Sequence, residues 1–153
     1  MIAPPSAAAS QPDLYTWLQR RALQAQKSGA ARVYVVSRAG RVVAYVALAA
    51  GGIARKEAGR SGRSSPNPVP VVIIARLAVD RREQGRGLGG SLLRSALARI
   101  ATAGEMIGAR AVLVHAIHDE ARAFYEHFDF RPTPGDDHTL LLMMAEVRKT
   151  IGP

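Results

Sequence analysis

Residues 71 to 79 read VVIIARLAV, an apolar and β-branched run that only Arg76 interrupts. A run of that length and composition suits a strand buried on both faces at the centre of a sheet. It leads through Asp80 and Glu83 into Gln84-Gly85-Arg86-Gly87-Leu88-Gly89-Gly90. From there Leu88, Leu92, Leu93, Ala96, Leu97 and Ile100 form one wide apolar stripe, which predicts a helix running to about Gly104, with Arg94 and Arg99 pointing away from the core. Strand, glycine turn and helix start in immediate succession present a row of backbone N–H groups and the positive end of a helix to an anion. No Gly-Lys-Ser/Thr follows, so the loop is not a P-loop. The hairpins before it and the lack of an acidic residue about 20 positions on make it a poor dinucleotide fingerprint. Gly85, Gly87 and Gly89, together with Arg86, exceed what a tight turn requires.

The remaining elements read as a mixed α/β sandwich. Asp13 is a plausible N-cap for an amphipathic helix over Leu14, Trp17, Leu18, Ala22 and Ala25 that Gly29 stops. Val33–Val36 and Val42–Ala49 predict two antiparallel strands joined through Ser37-Arg38-Ala39-Gly40-Arg41. From Gly51 to Pro70 the chain is Gly/Ser/Pro-rich and predicts a long loop. Ala111–Ala116 predicts a second central strand, Asp119–Phe128 a short helix, and Thr139–Met144 a closing strand. A length of 153 residues suits one domain, 1–153, in which MIAPPSAAASQP is a mobile lead-in without the basic n-region of a signal peptide. The longest apolar stretch, from Val42 to Ala54, falls short of the roughly 20 residues a membrane helix needs.

Cysteine is absent, which removes disulfides, thiolate metal sites and a cysteine nucleophile, and suits a reducing cytoplasm. Charge points the other way, toward a ligand: 21 Lys+Arg oppose 12 Asp+Glu, for a net +9. Residues 1–80 hold 11 cations and 3 acids, whereas 81–153 hold 10 and 9. A strongly basic front half favours a polyanionic partner. His115 and His118 lack the carboxylate or Cys partners of a metal site, so no metal is expected, and His115 near a strand end is at most a group that tunes a substrate amine.

Leu77-Ala78-Val79-Asp80 followed by Gln84-Gly85-Arg86-Gly87-Leu88-Gly89 resembles motif A of the GNAT acetyltransferase superfamily, Q/R-x-x-G-x-G/A after a central strand. The resemblance implies a GNAT fold of class α/β (α+β), with a mixed, mostly antiparallel sheet flanked by helices and splayed central strands that hold acetyl-CoA. It implies that Gln84, Gly85, Arg86, Gly87, Leu88, Gly89 and Gly90 bind the pyrophosphate. Strand backbone around Leu77, Ala78 and Val79 would pair with the pantetheine arm. Half of the eight aromatic residues lie in Phe124-Tyr125-Glu126-His127-Phe128-Asp129-Phe130, which resembles the superfamily's late FYxxxGF segment, with Asp129 in place of glycine. Asp tolerates the left-handed conformation better than most residues. There the tyrosine faces the cofactor sulfur, which implies that Tyr125 is the general acid: a phenol with a pKa near 10 is neutral at pH 7 and can protonate a leaving thiolate. Without cysteine the transfer is expected to be direct. No carboxylate base is evident at the active centre, so an acceptor amine of low pKa fits best.

Trp17–Ala22, Val43–Leu48, Val69–Val71, Ala75–Asp80, Val112–Ile117 and Pro132–Pro134 extend the resemblance to the TacT-type acetyltransferase toxins of type II toxin/antitoxin modules, from about Leu14 to Leu142. It implies acetylation of the α-amino group of aminoacyl-tRNA and arrest of translation, a ribbon-helix-helix antitoxin as partner, and a homodimer. Arg20, Arg21, Lys27, Arg55, Lys56, Arg60, Arg63 and Arg76 are the candidate tRNA contacts, since an acceptor stem is read mostly through phosphates. Two other readings remain open: an acetyltransferase acting on a small amine or a protein N-terminus, and a non-catalytic nucleic-acid-binding module on the same fold.

Overall fold

A computed structural model describes residues 31–151. The lead-in 1–12, the helix expected over 14–29, and Arg20, Arg21 and Lys27 lie outside the described residues. Strands β1 (Arg32–Arg38), β2 (Arg41–Ile53), β3 (Val69–Val79), β4 (Ala111–His115), β5 (Arg131–Thr133) and β6 (Asp136–Met143) alternate with helices α1 (Arg55–Ala58), α2 (Leu88–Ile107), α3 (Asp119–His127) and α4 (Met144–Ile151). They form one sheet in the order β1-β2-β3-β4-β6-β5. Only β3 and β4 run parallel, joined by the crossover that contains α2. The sheet is therefore mixed and mostly antiparallel, as the resemblance implied.

The β1–β2 hairpin closes with Arg38 opposite Arg41, which leaves Ala39 (φ 53°) and Gly40 (φ 77°) as its two-residue loop. Two successive positive φ values match the right-handed twist of the flanking strands. One sheet face packs Val46, Val72, Ile74, Val112, Val114 and Leu140 against Leu93, Leu97 and Ile100 of α2, Tyr125 of α3 and Val147 of α4. The opposite face packs Val71, Leu113 and Leu141 against Ala58 of α1. Period-2 alternation thus commits each strand residue to one side.

The loop expected from Gly51 is shorter than its composition suggested. Strand β2 continues through both glycines, pairing Gly51 with Val71, Gly52 with Pro70 and Ile53 with Val69. A Cβ at Gly51 would come within 2.5 Å of the Ile73 side chain, so this glycine serves cross-strand crowding rather than a turn. The same correction applies to α2, which runs past Gly104 to Ile107. Gly104 is buried, and a Cβ there would run into the thioether end of Met144. Gly108 (φ 71°) ends the helix instead, its N–H donating to the Gly104 carbonyl. Strand β6 begins at Asp136, earlier than expected, and β5 and α4 carry no clear sequence signal.

Candidate active site

Strands β3 and β4 pair only from Val71↔Ala111 to Ile74↔Val114 and then part. The cause lies in β3. Ala47 faces Arg76 and Leu48 faces Ile74, which leaves Ala75 as an extra residue bulged out of the β2–β3 ladder. A bulge bends its strand and interrupts pairing. A cleft opens at that point, lined on the β3 side by Ala75, Arg76, Leu77 and Ala78 and on the other by His115, Ala116 and Tyr125.

Backbone direction follows from one hydrogen bond. Asp80 N donates to Val43 O at 2.7 Å, which makes 43/80 a hydrogen-bonded couple. By alternation, Ala78 also bonds toward β2, whereas the N–H and C=O groups of Leu77 and Val79 face the cleft. Ala78 therefore contributes its side chain there, not its backbone.

Beyond the cleft, the turn from β3 to α2 is braced on three sides. Gln84 Nε2 donates to Val79 O at 3.1 Å, so its side chain ties the loop to the strand end. Asp80 accepts from Arg82 N at 2.9 Å, and the buried Glu83 pairs with Arg38 of the hairpin at 3.0 Å. Gly85 (φ 82°) and Gly87 (φ 77°) occupy the left-handed region that glycine adopts without penalty. Gly87 is the N-cap of the 20-residue α2, and no side chain caps it, so the first N–H groups of that helix have no side-chain partner. A hollow lies against them, lined by Gln84, Gly85, Gly87, Gly89, Gly90 and Arg94. A Cβ at Gly85 or Gly87 would meet nothing within 4 Å, so it would project into space that an anion can use. Arg86 and Arg94 are both exposed, Arg94 as its place off the apolar stripe implied, and Arg94 lines the hollow whereas Arg86 does not. Gly90 and Arg94 are four apart, which puts them on one helix face, and the Arg94 guanidinium stacks over the Phe128 ring at 5.0 Å.

Tyr125 is 6% exposed and lines the cleft from α3, its ring packed edge-on against Phe124 at 5.1 Å and Phe130 at 5.5 Å. Asp129 ends this segment at φ 71°, the left-handed position that glycine fills in the resembling motif. Burial pushes the Tyr125 hydroxyl well above its ordinary 10, because the phenolate would lose its hydration. The phenol thus stays protonated through neutral and mildly alkaline pH. In an ultraviolet titration, Tyr125→Phe is expected to remove no phenolate step below about pH 11; loss of a step near the ordinary tyrosine value would contradict this.

The two sheet faces meet at the cleft with different chemistry. Leu77 and Tyr125 belong to the α2 side. Arg76, opposite Ala47, and His115, two residues beyond Leu113, belong to the α1 side. The basic residues Arg55, Lys56, Arg60 and Arg63 are all exposed on α1 and the 3-10 turn that follows it, and so share that second side. Arg55 is also structural: its N–H donates to Asn67 Oδ1 at 3.1 Å and its Nη1 to Ser65 O at 3.4 Å. His118 caps α3, its Nδ1 accepting from Ala121 N at 3.2 Å. No cluster of metal-ligating side chains occurs among the described residues, and no described helix is long and apolar enough to cross a membrane.

Residues 29–132 match the family model of the acetyltransferase (GNAT) domain. The chain belongs to the GNAT acetyltransferase family. It is 51% identical over 148 residues to the tRNA-acetylating toxin of Mycobacterium tuberculosis, covering 96% of this chain and 89% of that protein. Among solved structures it resembles AtaT complexed with acetyl-methionyl-tRNAfMet, with a TM-score of 0.82 at 23% identity over 90% of this chain and 85% of that one. It also resembles a mutant AtaT toxin bound to the C-terminus of the antitoxin AtaR and acetyl-CoA, with a TM-score of 0.73 at 24% identity over 88% and 80% of the two chains. This GNAT chain is accordingly an acetyl-CoA-dependent acetyltransferase.

Proposed function

We propose that this GNAT enzyme is a toxin that acetylates the α-amino group of aminoacyl-tRNA and so arrests translation. The observation that carries the reading is the two-sided cleft. The glycine loop and Tyr125 stand on one face of the sheet, and Arg76 and the basic 55–63 segment stand on the other. A phosphate backbone crossing the basic face would deliver its acceptor end to the gap between β3 and β4. The 51% identity to a tRNA-acetylating toxin supports the same substrate.

Acetyl-CoA fits the other side. The amides of Gln84–Gly90, the uncapped start of α2 and Arg94 would hold its pyrophosphate, and the cleft-facing backbone of Leu77 and Val79 would pair with its pantetheine arm. When bound, it supplies an activated acetyl thioester. Tyr125 keeps its proton in the ground state and gives it from Oη to the departing sulfur, a role that a buried, neutral phenol can fill. An α-amine, with a pKa near 8, is already partly neutral at pH 7 and needs less help from a base than a lysine does.

A ribbon-helix-helix antitoxin that covers the basic face, a homodimeric state, a cytoplasmic site of action and a single domain over 1–153 complete the proposal. AtaT bound to the AtaR C-terminus supports an antitoxin partner of some kind. The test is labelled acetyl-CoA offered with charged tRNA, deacylated tRNA, a polyamine and a peptide panel. Label is expected on charged tRNA alone. Lys56, Arg60 and Arg63 changed together to Glu are expected to raise KM for tRNA at least tenfold at low salt and flatten its salt dependence, each lost phosphate contact removing a slope of about 0.7 to 0.9, with KM for acetyl-CoA unchanged. Label on peptide or polyamine alone would overturn the tRNA assignment.

A further inference from the structure

A polar chain runs back from the cleft through His115, Thr139 and Asp136. His115 Nδ1 lies 2.9 Å from Thr139 Oγ1, and Thr139 Oγ1 donates to Asp136 Oδ2 at 2.7 Å. The register of β4 on β6 places His115 directly opposite Thr139, so both side chains share the face that carries Arg76. The direction of each bond is fixed by chemistry. An ionised carboxylate only accepts, so the single hydroxyl proton of Thr139 goes to Asp136. Thr139 Oγ1 can then only accept from the histidine, which places a proton on Nδ1 and, in the neutral imidazole, leaves the lone pair on Nε2. The Asp136 carboxyl is held below the usual carboxylate range, first by the Thr139 hydroxyl and then by the His138 N–H. It therefore stays ionised, and the chain keeps its direction, until the solution is acidified past that range.

We infer that His115 is the general base of the transfer, its Nε2 aimed for proton abstraction by the Thr139–Asp136 pair. The inference rests on the acetyl-transfer reading and adds a residue to it. His115 and Arg76 line the acceptor side of the cleft, and Tyr125 lines the cofactor side. The amine lone pair forms the N–C bond to the acetyl carbonyl carbon. The C–S pair leaves with sulfur. The amine nitrogen gives one proton to His115 Nε2, and the sulfur takes one from Tyr125 Oη, so the products are neutral amide and neutral thiol. Solvent then removes the proton from His115 and returns one to Tyr125. Among the described residues that line the cleft, Arg76 carries the charge, and Asp136 stands behind the His115 ring through Thr139. An imidazole is suited to exchanging a proton near neutrality, which a surface carboxylate or a guanidinium is not. His115 is exposed, so no packing role competes with this one.

Two measurements decide the matter. In a long-range proton–nitrogen correlation spectrum of the unliganded protein, His115 is expected as the Nδ1–H tautomer, and Thr139→Val is expected to lose that preference while Thr139→Ser keeps it. In acetyl transfer to the best amine acceptor, His115→Gln is expected to lower kcat about 10²-fold, with KM for acetyl-CoA within twofold of the unaltered chain. Thr139→Val follows in the same direction by a smaller factor, and Thr139→Ser restores the rate. An Nε2–H tautomer, or His115→Gln within threefold of the unaltered kcat, overturns the assignment. Transfer to an amine other than aminoacyl-tRNA would sink the tRNA reading alone, since the same variants are then read on that amine.

Discussion

Tyr125→Phe is expected to reduce kcat for acetyl transfer by 10² to 10⁴, about 3 to 5 kcal/mol of transition-state stabilisation, while the protein folds as before. The size follows from what the hydroxyl supplies. A thiolate that leaves without a proton must carry full charge on the side of the cleft away from Arg76 and His115, beside Leu77, Ala116 and the aromatic ring itself, where a charge is poorly solvated. The phenylalanine ring keeps its edge-on contacts with the rings of Phe124 and Phe130, so a melting temperature within a few degrees of the original is expected. KM for acetyl-CoA is also expected to stay within about threefold, because the cofactor would be held by the glycine loop and the β3 backbone. Steady-state kinetics on charged tRNA, with thermal melting alongside, check both halves. A variant that keeps more than a third of the activity would show that the proton reaches sulfur from water.

The parts of this site that were legible in the sequence are those encoded locally. The run from Val71 to Val79, the glycines at 85 and 87 and the stripe from Leu88 to Ile100 are contiguous, and each imposes its structure within a few residues. Asp129 belongs with them, since a left-handed helix end needs only its own backbone. What was missed depends on partners distant in the chain. Gly51 and Gly104 look like breakers until Ile73 and Met144 are placed against them. Strand β5 is three residues long and exists only because Arg131 and Pro132 pair with Leu141 and Leu140. Arg94 is exposed, as its place off the apolar stripe implied, but its part in the hollow was not legible, because the ring it stacks on belongs to Phe128, 34 residues on and just past α3. The link from His115 to Thr139 spans 24 residues and is created by the β4–β6 register, which the paired Leu113 and Leu141 help to set. A histidine judged by its neighbours in sequence shows none of this.

Gly87→Val, set beside Gly108→Val, is expected to separate the binding role of the loop glycine from its backbone role. Both glycines flank α2, Gly87 at its start with φ 77° and Gly108 at its end with φ 71°, and a Cβ at either would meet nothing within 4 Å. The conformational cost of an L side chain in the left-handed region is therefore similar at the two ends, about 1 to 2 kcal/mol, with a β-branched residue at the upper end. For a domain of this size that cost lowers the melting temperature by about 2 to 8 °C in each variant. Only at residue 87 does the added side chain enter the hollow beside the first amides of α2. Charge-assisted hydrogen bonds contribute about 1.5 to 3 kcal/mol each, so keeping a pyrophosphate from one of those amides weakens acetyl-CoA by about 10- to 100-fold. Gly108→Val should bind acetyl-CoA as the unaltered chain does, and calorimetric titration of both variants at a temperature where each is folded measures the difference. Equal weakening in the two would mean that the loop acts only by holding α2 in place; undiminished binding in Gly87→Val would move the diphosphate elsewhere on the protein.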